Sequence, residues 1–165
     1  MMRTRFVRVA AAVFALIGSN TMGAAAADSS DIARQAEADY AQVAKTVAHA
    51  GFACIPYDEA SGAGEHFSYT VGLTSKGLPE IMIFTDQSGA EQCAQLESVV
   101  PWMLKHRDVL HHNAVVRKDV RLQPVYPAEF FEHCPLAAVW VARHHISSAY
   151  GMQMVFADDH GAFPN

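Results

Sequence analysis

Residues 66–74 read HFSYTVGLT, and from Phe67 onward large apolar side chains alternate with small ones at every position. Successive side chains of a β-strand point to opposite faces of a sheet, so this pattern predicts a strand with one apolar and one polar face. The apolar face comprises Phe67, Tyr69, Val71 and Leu73. The polar face comprises Ser68, Thr70, Gly72 and Thr74.

The next residues predict a turn and a second strand. Gly77, Leu78 and Pro79 are a turn signal directly ahead of Glu80 and the apolar run 81–84. A short continuous apolar run is typical of a central strand that is buried on both faces. We therefore expect one common core to contain Val71, Leu73, Ile81, Ile83 and Phe84.

Apolar periodicity assigns the rest of the chain to further helices and strands. Residues 32–47 repeat at helical spacing and Gly51 can end that helix, while Ser88 and Glu91 have capping-box spacing. The other predicted elements are a strand at 52–57, a helix at 90–106, a hairpin within 115–125, a helix at 128–150 and a strand at 152–157. The helix at 128–150 is either continuous or broken and restarted at Pro135, which is tolerated in a first helical turn. This order predicts a single α+β domain over residues 28–165, a mainly antiparallel sheet with helices packed on one side.

The first 27 residues have the plan of a secretory signal peptide. Three arginines precede the apolar stretch Val9–Ile17, and the small residues Ala24–Ala27 match a cleavage site. The apolar stretch is too short to span a bilayer, which takes about 20 residues. We expect cleavage after Ala27 and a periplasmic or secreted protein that is not held in the membrane afterwards.

Charge excludes several classes of partner. The chain has 12 basic and 17 acidic residues, a formal charge of −5. Loss of residues 1–27 removes three of the basic residues and none of the acidic ones, leaving nine against seventeen, or −8. Nucleic acids and anionic membranes are bound through clustered Lys and Arg, so neither is expected as a partner. The expected partner is a protein or a small-molecule ligand.

Three cysteines, Cys54, Cys93 and Cys134, follow the predicted cleavage site. Export to an oxidising compartment favours a disulfide, and an odd count leaves one thiol over. Three pairings are open, and so is the alternative of three buried, reduced side chains.

The nine histidines do not form a metal-binding motif. Helical metal ligands are commonly four residues apart, whereas His111 and His112 are adjacent and point apart. We expect no metal site and no cofactor; His160, beside Asp158 and Asp159, is the best local candidate for a ligand. Nucleophile motifs and phosphate-binding glycine loops are also missing from the sequence.

Four polar residues on or beside predicted strands are the candidate binding site: Thr70, Glu80, Gln153 and Asp158. If their strands are neighbours, the four form one polar patch. Glu80 and Asp158 are also the candidate catalytic residues, as an acid and base pair. The structural alternative is that both carboxylates accept hydrogen bonds from loop amides and that Gln153 bonds a neighbouring strand.

Two parts of the chain resemble a known family. The first is YTVGLT at residues 69–74 with GLPEI at 77–81, and the second is QMVFADDHGAFP at 153–164. They are similar to the bacterial family described as domain of unknown function 4262. That family commonly has a histidine where Leu78 stands here, and most of its members look cytosolic. The resemblance therefore implies an exported member, and it implies that any chemistry through that histidine is missing from this chain.

These observations favour a small exported, non-catalytic domain that binds a protein or small ligand through its polar strand face. One alternative is a hydrolase-like enzyme that uses Glu80 and Asp158. Another is an immunity or inhibitor protein against a secreted toxin, which suits a small acidic domain.

Overall fold

A computed structural model describes residues 26–58, 66–110 and 113–163. The described chain forms a six-stranded sheet in the order β1-β2-β3-β6-β5-β4. The strands are β1 Ala53–Asp58, β2 His66–Val71, β3 Glu80–Phe84, β4 Ala114–Arg117, β5 Val120–Val125 and β6 Gly151–Phe156. The α-helices are α1 Ala26–Ala50, α2 Gly89–Lys105, α3 Pro127–His133 and α4 Pro135–Arg143. Short 3₁₀ segments span Leu73–Lys76 and Arg107–Val109.

The sheet is antiparallel except at its centre. β3 and β6 run parallel, with Glu80 opposite Gly151 and Ile83 opposite Met154. The other neighbouring strands are antiparallel. The predicted α+β class and mainly antiparallel sheet are confirmed, and Ser88 and Glu91 form the predicted capping box of α2.

Helices cover both faces of this sheet, which differs from the expected packing on one side. Ile81 and Ile83 of β3 pack in a core with Leu96 and Met103 of α2. Met82, which points to the other face, packs in a second core with residues of α1, α3 and α4. The physical reason is the apolar run in β3, because a strand that is apolar on both faces must be covered on both.

The expectation of one common core is wrong, since its five members divide. Val71 lies in the core beneath α1, α3 and α4, whereas Leu73, Ile81 and Ile83 lie in the core beneath α2. Phe84 is 37% exposed. Gly72 explains the position of Leu73: its φ of 106° ends the strand and starts the 3₁₀ turn, which interrupts the alternation.

One disulfide joins the sheet to a helix. Cys54 of β1 is bonded to Cys93 of α2, and Cys134 is buried with a free thiol. The structure thus selects one of the three pairings that the sequence left open.

The predicted signal peptide lies outside the described residues except for Ala26 and Ala27, which are in the first turn of α1. Gly51, with a φ of 87°, follows the end of α1 at the predicted position. Within the described ranges, no helix is long and apolar enough to cross a membrane.

Candidate functional site

Glu80 is the first residue of β3, and its side chain is completely buried. Beside it, the hydroxyl of Thr70 enters the space between β2 and β3. The Ile81 N–H donates to Thr70 Oγ1 at 2.9 Å, and the hydroxyl donates to Glu80 Oε2 at 2.8 Å. Two of the four predicted site residues are therefore in direct contact.

The second oxygen of Glu80 holds the turn that follows β2. Glu80 Oε1 accepts hydrogen bonds from the N–H of Gly72 at 2.8 Å and the N–H of Thr74 at 3.0 Å. It also accepts one from the Thr74 hydroxyl at 2.9 Å. The carboxylate thus satisfies the amides at the start of the 3₁₀ segment, as a capping side chain does at a helix N-terminus.

Burial has the largest effect on the pKa of Glu80. Removal from water raises the pKa of Glu80, although the hydrogen bonds from Thr74, Thr70 and Gly72 act in the opposite direction. Burial, followed by the Glu80 charge, raises the pKa of the nearby Cys134 thiol. A thiol held in its protonated form is a poor nucleophile.

Asp158 lies far from Glu80. The parallel register places Glu80 opposite Gly151, at the start of β6, and Asp158 follows the other end of that strand. Seven residues at about 3.3 Å each separate the two by roughly 20 Å. Asp158 Oδ1 accepts hydrogen bonds from the N–H groups of His160 at 2.9 Å and Ala162 at 2.8 Å. The structure does not bring the two carboxylates into one site.

Gln153 is also separate from the Thr70–Glu80 pair. Its neighbours Met152 and Met154 face the α2 core, so the Gln153 side chain points to the opposite face of the sheet. It lies opposite Gln123 of β5 and Met82 of β3. The predicted four-residue patch therefore divides into three places.

The polar face of β2 is buried beneath α2. The Ser68 hydroxyl donates to Gln92 Oε1 at 2.7 Å, and Gln92 Nε2 donates to the carbonyls of His66 and Thr85. Gln92 comes from the capped first half of α2. Ser68 and Thr70 are completely buried and hydrogen-bonded, so neither is accessible to a ligand.

The described residues contain no group of three or more His, Cys, Asp or Glu side chains that could hold a metal ion. His160 is exposed, and the contact that ties it to Asp158 is made by its backbone N–H.

A cavity of about 260 Å³ lies at the end of the sheet where the two central strands, β3 and β6, begin. Its lining residues are Thr74, Gly77, Leu78, Arg107, Ile146, Ser148 and Tyr150. We call this cavity the Arg107 cleft. Thr74 joins it to the buried carboxylate, and the Glu80 N–H donates to the Tyr150 carbonyl at 3.1 Å. The cleft thus shares its wall with the Glu80 site.

Arg107 is held in place at the cleft. Its Nη1 donates to the Lys76 carbonyl at 2.7 Å, which links the segment after α2 to the turn after β2. Partial burial raises the pKa of Tyr150, so its hydroxyl stays protonated near neutral pH. Sequence reasoning missed Arg107, Ser148 and Tyr150. The helix predicted at 128–150 ends at Arg143, so Ser148 and Tyr150 lie in the irregular segment after it, and Arg107 lies in a 3₁₀ segment that no motif marks.

A second hollow is larger and more open. It has a volume of about 400 Å³ and is lined by Ala128, Phe131, Glu132 and Ala138 of α3 and α4. Its only formal charge among these residues is Glu132. Ligand sites combine apolar walls with several convergent polar groups, which the Arg107 cleft has and this groove does not.

The profile of the family described as Domain of unknown function (DUF4262) matches residues 46–165 of this chain. The chain belongs to that family. The matched range contains Glu80 and all the described residues that line the Arg107 cleft. No curated protein and no solved structure matches the chain significantly.

Proposed function

We propose that this member of the DUF4262 family is a non-catalytic binding domain that holds a small molecule in the Arg107 cleft. The observation that carries the proposal is the cleft itself, in which an arginine and two hydroxyl-bearing residues, Ser148 and Tyr150, meet the apolar side chains of Leu78 and Ile146. Pockets that orient a ligand have this mixture of a few polar groups and apolar walls.

Hydrogen bonds hold part of the cleft wall in the absence of a ligand. Thr74 is tied to Glu80, and Arg107 to the Lys76 carbonyl. Ser75, on the same turn, accepts a hydrogen bond from Trp140 Nε1 of α4 at 2.8 Å. A site that is already ordered loses little conformational entropy on binding, which favours affinity.

The positions of the acidic residues support binding over catalysis. General acid and base catalysis needs groups within hydrogen-bond reach of the reacting atoms. Glu80 is buried with both oxygens accepting hydrogen bonds, and Asp158 lies at the other end of β6. A hydrolase that uses this pair has no observation in its favour, nor does an inhibitor role.

Export remains part of the proposal. The disulfide between Cys54 and Cys93 supports it, because such bonds persist in the periplasm and outside the cell but are rare in the cytosol. The partner is then a small molecule met in that compartment.

Cleft binding is tested by ¹⁵N–¹H NMR with a set of neutral, cationic and anionic aromatic fragments. Ser148→Trp fills the cleft, and Ser147→Trp is the matched control because Ser147 does not line it. Fragments should shift the amide signals of Thr74, Gly77 and Tyr150 in the parent protein and in Ser147→Trp, and lose that effect in Ser148→Trp. The proposal fails if no fragment shifts these signals, or if fragments bind Ser148→Trp equally well.

A further inference from the structure

We propose that the ligand of the Arg107 cleft is a small organic carboxylate, whose charged group pairs with the Arg107 guanidinium and whose apolar body contacts Ile146. This rests on the proposed function, since it names the ligand class for the same cleft. The contacts of Arg107, the positions of the neighbouring charges and the size of the cleft support it.

Arg107 is oriented and still has donors for a ligand. A guanidinium has five N–H donors in a rigid fork, and the contact with the Lys76 carbonyl uses Nη1. That contact does not use the edge formed by Nε and Nη2. An edge of this kind is the usual partner of a carboxylate in a bidentate pair.

Among the described residues, no carboxylate forms an ion pair with Arg107. Within the described ranges, the three other arginines in ion pairs are Arg34, Arg117 and Arg143, and Arg107 is in none. The nearest buried carboxylate, Glu80, lies behind Thr74 with both oxygens occupied. Arg107 is exposed, so its guanidinium is accessible to an anionic ligand.

One positive charge favours a monoanion. Arg107 is the only formally charged residue among the described lining residues. Lys76 belongs to the same turn, but its ammonium group lies against Gly51, at the end of α1, where it faces the negative end of the helix dipole. A carboxylate is neutralised by one guanidinium, whereas a phosphate dianion would keep an excess negative charge in a protein that is itself acidic.

The dimensions require a small ligand with an apolar part. The cleft volume of about 260 Å³ is below the roughly 300–1,000 Å³ of typical ligand pockets. Ile146 is half-buried and therefore presents accessible carbon surface to a ligand, whereas Leu78 is fully buried and adds little. The Ser148 hydroxyl can donate to the second carboxylate oxygen. Inorganic anions would leave the apolar surface uncovered.

The test compares five probes of similar size or charge by NMR titration: benzoate, benzamide, benzylamine, phenyl phosphate and inorganic phosphate. Benzoate should shift the signals of the cleft residues and bind at least tenfold more tightly than its neutral isostere benzamide. Arg107→Gln should weaken benzoate binding at least tenfold, and Arg107→Lys should weaken it less. Arg117→Gln, which removes an exposed arginine outside the cleft, should leave binding unchanged.

Several outcomes overturn this inference and leave the proposed function intact. Equal binding of benzamide and benzoate would do so, as would tighter binding of phenyl phosphate or of benzylamine. Unchanged benzoate affinity in Arg107→Gln, with a parent-like melting temperature, would also overturn it. If Arg107→Gln does not fold, Arg107→Lys decides, since parental affinity there contradicts bidentate pairing. Failure of every fragment to reach the cleft overturns both proposals.

Discussion

Glu80 Oε1 accepts a hydrogen bond from the backbone N–H of Gly72 at 2.8 Å, so the first residue of β3 closes the turn that ends β2. Gly72 has a φ of 106°, and an added Cβ there would lie 2.7 Å from a methyl carbon of Val47 in α1. The carboxylate and the close approach of α1 thus fix the turn from two sides. The two parts of the sequence motif, YTVGLT and PEI, form one hydrogen-bonded unit.

Two replacements of Glu80 should have different effects on the free energy of unfolding, because one removes the side chain and the other removes only its charge. Glu80→Ala leaves the buried N–H groups of Gly72 and Thr74 without an acceptor and should cost about 3 kcal/mol or more, at 1–3 kcal/mol for each. Glu80→Gln keeps an acceptor oxygen and can donate to Thr70 Oγ1, so we expect a loss of about 1 kcal/mol. Urea denaturation measures both. Glu97→Ala, at an exposed position of α2, is the control, and an equal loss in that variant would contradict this account.

Stability should depend on pH through the same residue. The folded state raises the pKa of Glu80 above its ordinary value of 4.5, so folding favours the protonated form. This contribution is complete below pH 4.5 and is lost as the pH rises through the folded pKa. As the pH rises through this window, the parent should therefore lose stability while Glu80→Gln does not. The free energy of unfolding of Glu80→Gln should thus increase relative to that of the parent. A constant difference between the two proteins from pH 4 to pH 8 would show that the burial of Glu80 does not control its protonation.

The local elements were predictable because neighbouring residues determine them. Alternation identified β2, and Ser88 with Glu91 identified the start of α2. The contact between Thr70 and Glu80 was also within reach, because two consecutive antiparallel strands bring it about. The covering of the polar face was not, since it depends on Gln92 of a helix that packs on β1, β2 and β3.

The misplacement of Asp158 has a topological cause. If β6 ran antiparallel to β3, its C-terminal end would lie beside Glu80, and Asp158 would be close to it. The strands are parallel, so the end of β6 lies at the far side of the sheet. The direction of a strand between distant parts of the chain is not written in its own residues. The cleft was also missed because its lining comes from three segments that are far apart in the sequence.

Gly151 is required by a close contact with α3. An added Cβ would lie 2.0 Å from Cδ2 of Phe130, which is completely buried. Gly151→Ala should destabilise the protein by about 1–3 kcal/mol, the range for overpacked cores. Phe130→Leu creates space, so the double variant should lose less than the sum of the two single losses. Additive losses in a double-mutant cycle would mean that the ring moves aside without strain.

The disulfide should contribute substantially to stability. Cys54 and Cys93 are 39 residues apart, and a loop of this length corresponds to about 3–4 kcal/mol in the chain-entropy account. Replacement of both cysteines by alanine should lower the free energy of unfolding by that amount. Cys134→Ala removes a thiol outside the bond and tests the assignment: it should abolish thiol labelling of the unfolded, non-reduced protein. Continued labelling would mean that a different pair is bonded.

The packing of α1 is compatible with export and with cleavage after Ala27. Cleavage after Ala27 would remove two residues from the first turn of this helix. The first buried side chain of α1 in the described residues is Asp39, followed by Val43 and Val47, so the contacts that hold the helix lie downstream of the cut. The full-length chain expressed in a bacterial host should yield a periplasmic protein that begins at Asp28 and carries the Cys54–Cys93 bond. A version that starts at Asp28 and stays in the cytosol should fold with Cys54 and Cys93 reduced and melt at a lower temperature than the exported protein. Oxidation of that version should raise its melting temperature to that of the exported protein. N-terminal sequencing and thiol counting decide the matter, and an intact Met1 in the membrane fraction would refute both cleavage and release.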